Sequence, residues 1–169
     1  MNAPFPLGQS AASDHETAIA TFAWRGLCLD IFAAVEVDVG QTLAVLADAG
    51  VALDKEASHP GALARLRSLG KVLSAQTFGG HERRAARLVE QWTALCDERT
   101  ALAHGLFRKD AGGVRIEQIC YREGCREQMP ARYYSRLDML ALLHRLDVGA
   151  RELHGQLGQI RAACRRPGR

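Results

Sequence analysis

The sequence contains neither G-x-x-x-x-G-K-[S/T] nor G-x-G-x-x-G, so a nucleotide-fold phosphate loop has no support in it. The run "HERR", residues 81–84, lacks the second histidine of a zinc-protease helix, and no second cysteine pair or clustered histidines complete a zinc set. No metal and no other cofactor is therefore expected. Apolar runs are broken by charge within a few residues, which argues against a bilayer-crossing segment and a membrane partner. The opening "MNAPFPLGQSAASD" has neither a basic n-region nor an apolar h-region, so residues 1–12 are expected to form a short disordered arm and the protein to be cytoplasmic. Internal repeats and low-complexity domains are absent too. What is there is 169 residues, 47% apolar, with a mean hydropathy of −0.13: a globular chain long enough for one domain with a real core.

Five cysteines, an odd number, are scattered along the chain. Cys28, Cys96 and Cys164 fall in helical patterns and suit buried, reduced thiols. Cys120 and Cys125 flank "YREG", where a cross-hairpin disulfide or half a metal site is open to them, although plain thiols are the expectation. The net charge of +3 conceals an asymmetry: residues 1–60 carry two basic and eight acidic side chains, residues 61–169 twenty and eleven. The second half could face a polyanion, but the last nine residues alone supply four arginines, so residues 165–169 are read as a solvated basic tail.

The periodicity predicts an all-α chain: an antiparallel four-helix bundle with a small β-hairpin insert before the last helix. Residues 13–164 make up one helical domain. The first helix, near 13–49, opens at Ser13 with capping-box spacing and has the seam Ala18, Phe22, Arg25, Leu29, Phe32, Glu36, Val39, Leu43, Leu46, in which Arg25 and Glu36 are charged interruptions. Further helices are predicted at 60–75, 80–104 and 135–164, and a hairpin within 113–133, carried by Val114, Ile116, Gln118, Cys120 and the run after Gly124. The last helix has the cleanest seam, Met139, Leu143, Leu146, Ala150, Leu153, Leu157, Ile160, Cys164, with Ser135 and Asp138 at capping-box spacing. His144 and His154 read as solvent-facing. Tyr133 and Tyr134 suit base stacking, but local core is the more ordinary role.

Chemistry concentrates in "RTALAH", residues 99–104. Arg99 interrupts the seam Ala85, Leu88, Trp92, Leu95, Leu102. A buried guanidinium needs a partner, and Glu36, the other misplaced charge, is the natural one, so the two are expected within salt-bridge reach. His104 precedes Gly105, which is expected to stop the helix in the left-handed conformation. An imidazole at a helix C-terminus beside an arginine offers a general acid/base next to an anion clamp. Five residues of ideal helix turn about 500°, so the two side chains converge only if the helix unwinds at His104.

An arginine, four intervening residues and a histidine closing a bundle helix resemble the HEPN superfamily of small, all-helical, typically dimeric domains, many of them metal-independent ribonucleases. The resemblance in layout covers most of residues 13–163, whereas its specific part is six residues. It implies that Arg99 stabilises a phosphorane-like transition state and that His104 acts on a ribose 2′-hydroxyl or positions the phosphate. Thr100 stands where active members commonly carry Asn, Asp or His, and would serve as a hydrogen-bond donor. The resemblance further implies a homodimer whose motifs pair across a two-fold axis, RNA as the substrate class, and an antitoxin or other protein partner as in toxin or defence systems. Two readings stand: an RNA-directed HEPN-like endoribonuclease, or a noncatalytic dimeric interaction module with a buried Glu36/Arg99/His104 network.

Overall fold

The computed structural model describes residues 9–110, 112–122 and 125–165, with side chains from His15 onward except those of 120–125. The chain is mostly helical. Helix α1 spans Gln9–Asp48, a 3-10 turn Lys55–Ser58, α2 Ala62–Ala75, α3 Glu82–Ala94, α4 Cys96–His104 and α5 Arg136–Cys164. Among the described residues the strands lie between α4 and α5: β1 Leu106–Asp110, β2 Gly113–Glu117, β3 Ile119–Arg122, β4 Cys125–Gln128 and β5 Arg132–Ser135. The expected hairpin within 113–133 is present as β3 and β4, but it is not the whole strand set: β1, β2 and β5 form a separate three-stranded antiparallel sheet, in which Val114 and Ile116 pair instead. β1 follows α4 with only Gly105 between them, and β5 is the "RYYS" run just before the α5 cap, so neither has a turn signal on both sides. The register sets Cys120 against Glu127 and Cys125 against Arg122; whether the two thiols pair falls on side chains outside the described residues.

One apolar core draws on every α-helix and on β2. Helices α1 and α5 pack side by side and run in the same direction. Near their starts, Trp24 Nε1 donates to the Met139 carbonyl at 2.8 Å; farther along, Asp38 meets His154 at 2.6 Å and Arg161 at 3.2 Å. The expectation of antiparallel helices throughout is corrected accordingly, because the strand excursion returns the chain to the end at which α1 begins. Helices α3 and α4 run the other way, with Arg84 against Glu152 and Trp92 against Gly149 and Phe32.

The buried face of α5 is the expected one, with Leu146, Leu153, Leu157 and Ile160 joined by Leu142. On α1 the face over residues 18–29 rotates from the expected seam: Trp24 and Cys28 are buried, while Phe22 is exposed. This half of the helix is apolar on nearly every side, so periodicity selects no face. By length and composition α1 is long and apolar enough to cross a membrane, which corrects the expectation that charge interrupts every such run; its charges are too widely spaced. Three of them are held by other elements: Arg25 by α4, Glu36 by α2 and α4, and Asp38 by α5.

Termini differ from expectation in detail. Helix α1 starts at Gln9, so Ser13 lies inside the helix rather than capping it, and the proposed arm beyond it falls on residues 1–8, outside the described residues. The tail reading falls on residues 166–169, also outside them. At α5 the Ser135–Asp138 capping box is present in both directions.

Candidate functional site

The motif helix is a separate element. The expected continuous helix over 80–104 breaks at Leu95, whose N–H bonds to the Trp92 carbonyl at 3.2 Å in a tightened 3-10 turn before Arg99 N–H picks up the Leu95 carbonyl at 3.0 Å. Nothing in the sequence marks this break, because Leu95 stays on the apolar seam. Helix α4 buries Ala101 and Leu102 and leaves Arg99 at its edge and His104 exposed at its end.

Glu36 and Arg99 meet as expected: Arg99 Nε donates to Glu36 Oε1 at 3.1 Å, across 63 residues of sequence. The pair is partly open, with side-chain exposures of 37% for Arg99 and 21% for Glu36. Glu36 is also shared, its other oxygen lying 3.6 Å from Arg65 Nη2 on α2. Arg25 has a different role. Its Nε donates to the Leu102 carbonyl and its Nη2 to the Ala103 carbonyl, both at 2.7 Å, with the guanidinium 4.6 Å from the Phe107 ring centre. It thus closes two of the open carbonyls at the C-terminus of α4, where the helix dipole favours a cation. The seam interruption at Arg25 was visible in the sequence; its partner was not.

Gly105 does end α4, but not in the left-handed conformation: its φ and ψ are −72° and 150°, extended backbone. Glycine is needed there because a Cβ would lie 2.3 Å from Ile116 Cγ2 and 2.5 Å from the Ala101 carbonyl oxygen. The chain leaves the helix through a gap that only a hydrogen fits. Helix α4 is therefore regular through His104, and its last turn closes with Gly105 N–H on the Ala101 carbonyl at 2.8 Å. Without unwinding, Arg99 and His104 point about 140° apart around the helix and do not form one site within one chain. His104 has no side-chain partner among the described residues. The Thr100 hydroxyl donates to the Cys96 carbonyl at 2.8 Å, within its own helix.

Glu98, beside Arg99, went unnoticed in the sequence and ties α4 to the sheet. It accepts from both Arg132 and Tyr134 of β5. Burial and then the bond to Glu98 raise the Tyr134 hydroxyl well above its usual range. Tyr134 packs 5.4 Å from Trp24 as local core, whereas Tyr133 is exposed. Burial, reinforced by the charge of Glu98, pushes the Cys28 thiol up to about 12, leaving it neutral and inert. His144 and His154 are exposed, as expected. Among the described residues no three His, Cys, Asp or Glu side chains gather closely enough to hold a metal ion.

A large concavity lies elsewhere. A cavity of about 780 Å³ between α1, α5 and the sheet is lined by Ala20, Ala23, Leu27, Met139, Leu140 and Leu143, among others, and by neither Arg99 nor His104. Ile19, Phe22, Val37, Leu137 and Val148 on the same two helices are also exposed. Compared with protein-family models, with curated proteins and with solved structures, the chain has no significant match.

Proposed function

We propose that this protein is an RNA-directed, HEPN-like domain, with α1, α2, the broken α3–α4 rod and α5 as its four-helix bundle, and that it cuts RNA without metal as a homodimer. The observation that carries the reading is the partly open Arg99 and the exposed His104 on one short helix. The terminal nitrogens of Arg99 are left over by its bond to Glu36, and His104 is unpaired at the helix end. Because the two diverge within one chain, a working site takes Arg99 from one protomer and His104 from the other. Arg99 then stabilises the charge that develops on phosphorus, and His104 removes the 2′-hydroxyl proton or holds the phosphate. Thr100 contributes little in its present rotamer, which spends its hydroxyl on Cys96. An antitoxin-like protein partner belongs to this reading as well.

The competing reading is a noncatalytic dimeric module. The Glu36–Arg99 pair favours it, since an arginine partly neutralised inside the fold is less available to phosphate. The exposed His104 does not join that network.

Cleavage decides between them. Purified protein should cut single-stranded RNA in EDTA, leaving 2′,3′-cyclic phosphate or 3′-phosphate ends, and should spare DNA of the same sequence. His104→Ala should slow cleavage by about 10²-fold or more. Mixing Arg99→Ala with His104→Ala chains should restore about a quarter of wild-type activity, because half of the dimers are mixed and each mixed dimer keeps one whole site. An inert wild type on varied RNAs leaves the noncatalytic module.

A further inference from the structure

Arg65 is an anomaly that neither reading uses. Its side chain is about three-quarters buried, with 24% exposed, yet it makes no hydrogen bond among the described residues. Its Nε is buried without a partner, and its nearest acid, Glu36, stands at 3.6 Å, beyond hydrogen-bonding distance. The guanidinium lies over Gly40 of α1, where a Cβ would stand in ordinary contact at 3.4 Å from Nη1. Glu36 gives its other oxygen to Arg99. One carboxylate therefore stands between two guanidiniums that reach it from different helices.

That arrangement leaves one positive charge uncompensated in a half-buried place. Arg67 and Asp97 stand nearby around Cys96, but they carry opposite charges and do not supply the missing anion. Each guanidinium has five donors in a planar fork; Arg65 Nε is a buried donor without a partner, and the terminal nitrogens of Arg99 are open to solvent beyond its bond to Glu36. A phosphodiester fits the deficit. It brings a single negative charge, and its two unesterified oxygens diverge tetrahedrally, so two forks arriving from different directions can each take one.

We propose that Arg65 and Arg99, bracketing Glu36, form a binding site for a phosphodiester oxyanion, with Arg65 as a phosphate-holding residue outside the R-x4-H motif. The site shares Arg99 with the ribonuclease reading but needs no cleavage, so the two can fail separately.

The test is a titration of the full chain with dimethyl phosphate at constant ionic strength, followed by the Nε–Hε signals of the arginine side chains in NMR spectra. The signals of Arg65 and Arg99 should move together and saturate, while that of Arg84, which pairs with Glu152 on α5, stays still. Arg65→Met, if folded, should remove the saturable shift at Arg99; if it does not fold, the wild-type titration decides alone. An Arg65 signal that does not move overturns the proposal, and so does sodium acetate moving both signals as strongly as dimethyl phosphate. A saturable shift in a protein that cuts no RNA keeps the site and removes only the catalytic reading.

Discussion

Arg25 and Arg99 both stand where an apolar side chain would continue a helical seam, and they meet different electrostatic needs. Arg25 closes the carbonyl end of α4 from outside; Arg99 leaves α4 to reach a carboxylate on α1. The Glu36–Arg99 pairing could be read from the sequence because each residue was a charge in an otherwise apolar row. Arg65 could not, because "ARLRS" is an ordinary amphipathic surface and its place beside Gly40 and Glu36 exists only once the helices pack. Full burial of the pair would make Glu36→Ala cost about 3 kcal/mol or more. With more than a third of Arg99 exposed, the expected cost is about 1 kcal/mol, chiefly from setting two guanidiniums face to face. Urea denaturation checks this, and Glu36→Leu combined with Arg99→Met should cost less than the sum of the two single changes.

At the scale of elements, the ends of α4 and α5 govern where functional side chains sit. Gly105→Ala forces a methyl group into Ile116 and the Ala101 carbonyl, so it should destabilise by about 2–3 kcal/mol and loosen the last turn that carries His104; thermal melting with amide exchange at Ala103 and His104 would show both. The start of α5 gives a pH prediction. The hydroxyl and then the backbone N–H of Ser135 hold the Asp138 carboxyl below its usual range, and the N–H groups of Phe78 and Gly80 help to do the same for Glu82. A folded value below the unfolded one stabilises the protein above the ordinary carboxylate range, and that contribution is lost as pH falls through the lowered value. Ser135→Ala should therefore destabilise the protein more near neutrality than in acid, where only the loss of the cap bond from the Asp138 N–H remains, as urea titrations at neutral and acid pH would reveal. Helix existence and the α5 cap were readable from period and cap chemistry. The break at Leu95, the rotated face of α1 and the strands β1 and β5 were not, because each is decided by a neighbour rather than by local pattern. Gly105 was recognised as a stop for the wrong reason: it answers a close approach, not a left-handed turn.

For the molecule as a whole, the exposed apolar side chains along α1 and the start of α5, among them Ile19, Phe22, Leu27, Leu137 and Leu140, are a surface that a dimer would cover. The α1–α5 surface carries Arg136 toward one end and Asp30 and Asp147 toward the other, so a two-fold axis through Leu27 and Leu140 would set opposite charges against each other. Arg25, which holds α4, lies about 160° around α1 from Leu27, so this dimer suits the noncatalytic module and leaves Arg99 and His104 of the two protomers apart. Sedimentation velocity should accordingly find a dimer, and Leu27→Glu or Leu140→Glu should weaken it by about tenfold or more while the melting transition remains cooperative. A monomeric wild type would remove the dimeric part of both functional readings. The parallel pairing of α1 with α5 carries a consequence for how the chain is made. Helix α1 is synthesised well before its packing partner α5, with Trp24 waiting for Met139 and Asp38 for Arg161. Until α5 has been made, α1 is an apolar rod without its mate, which makes the nascent chain a natural client for chaperones that hold unpaired hydrophobic helices.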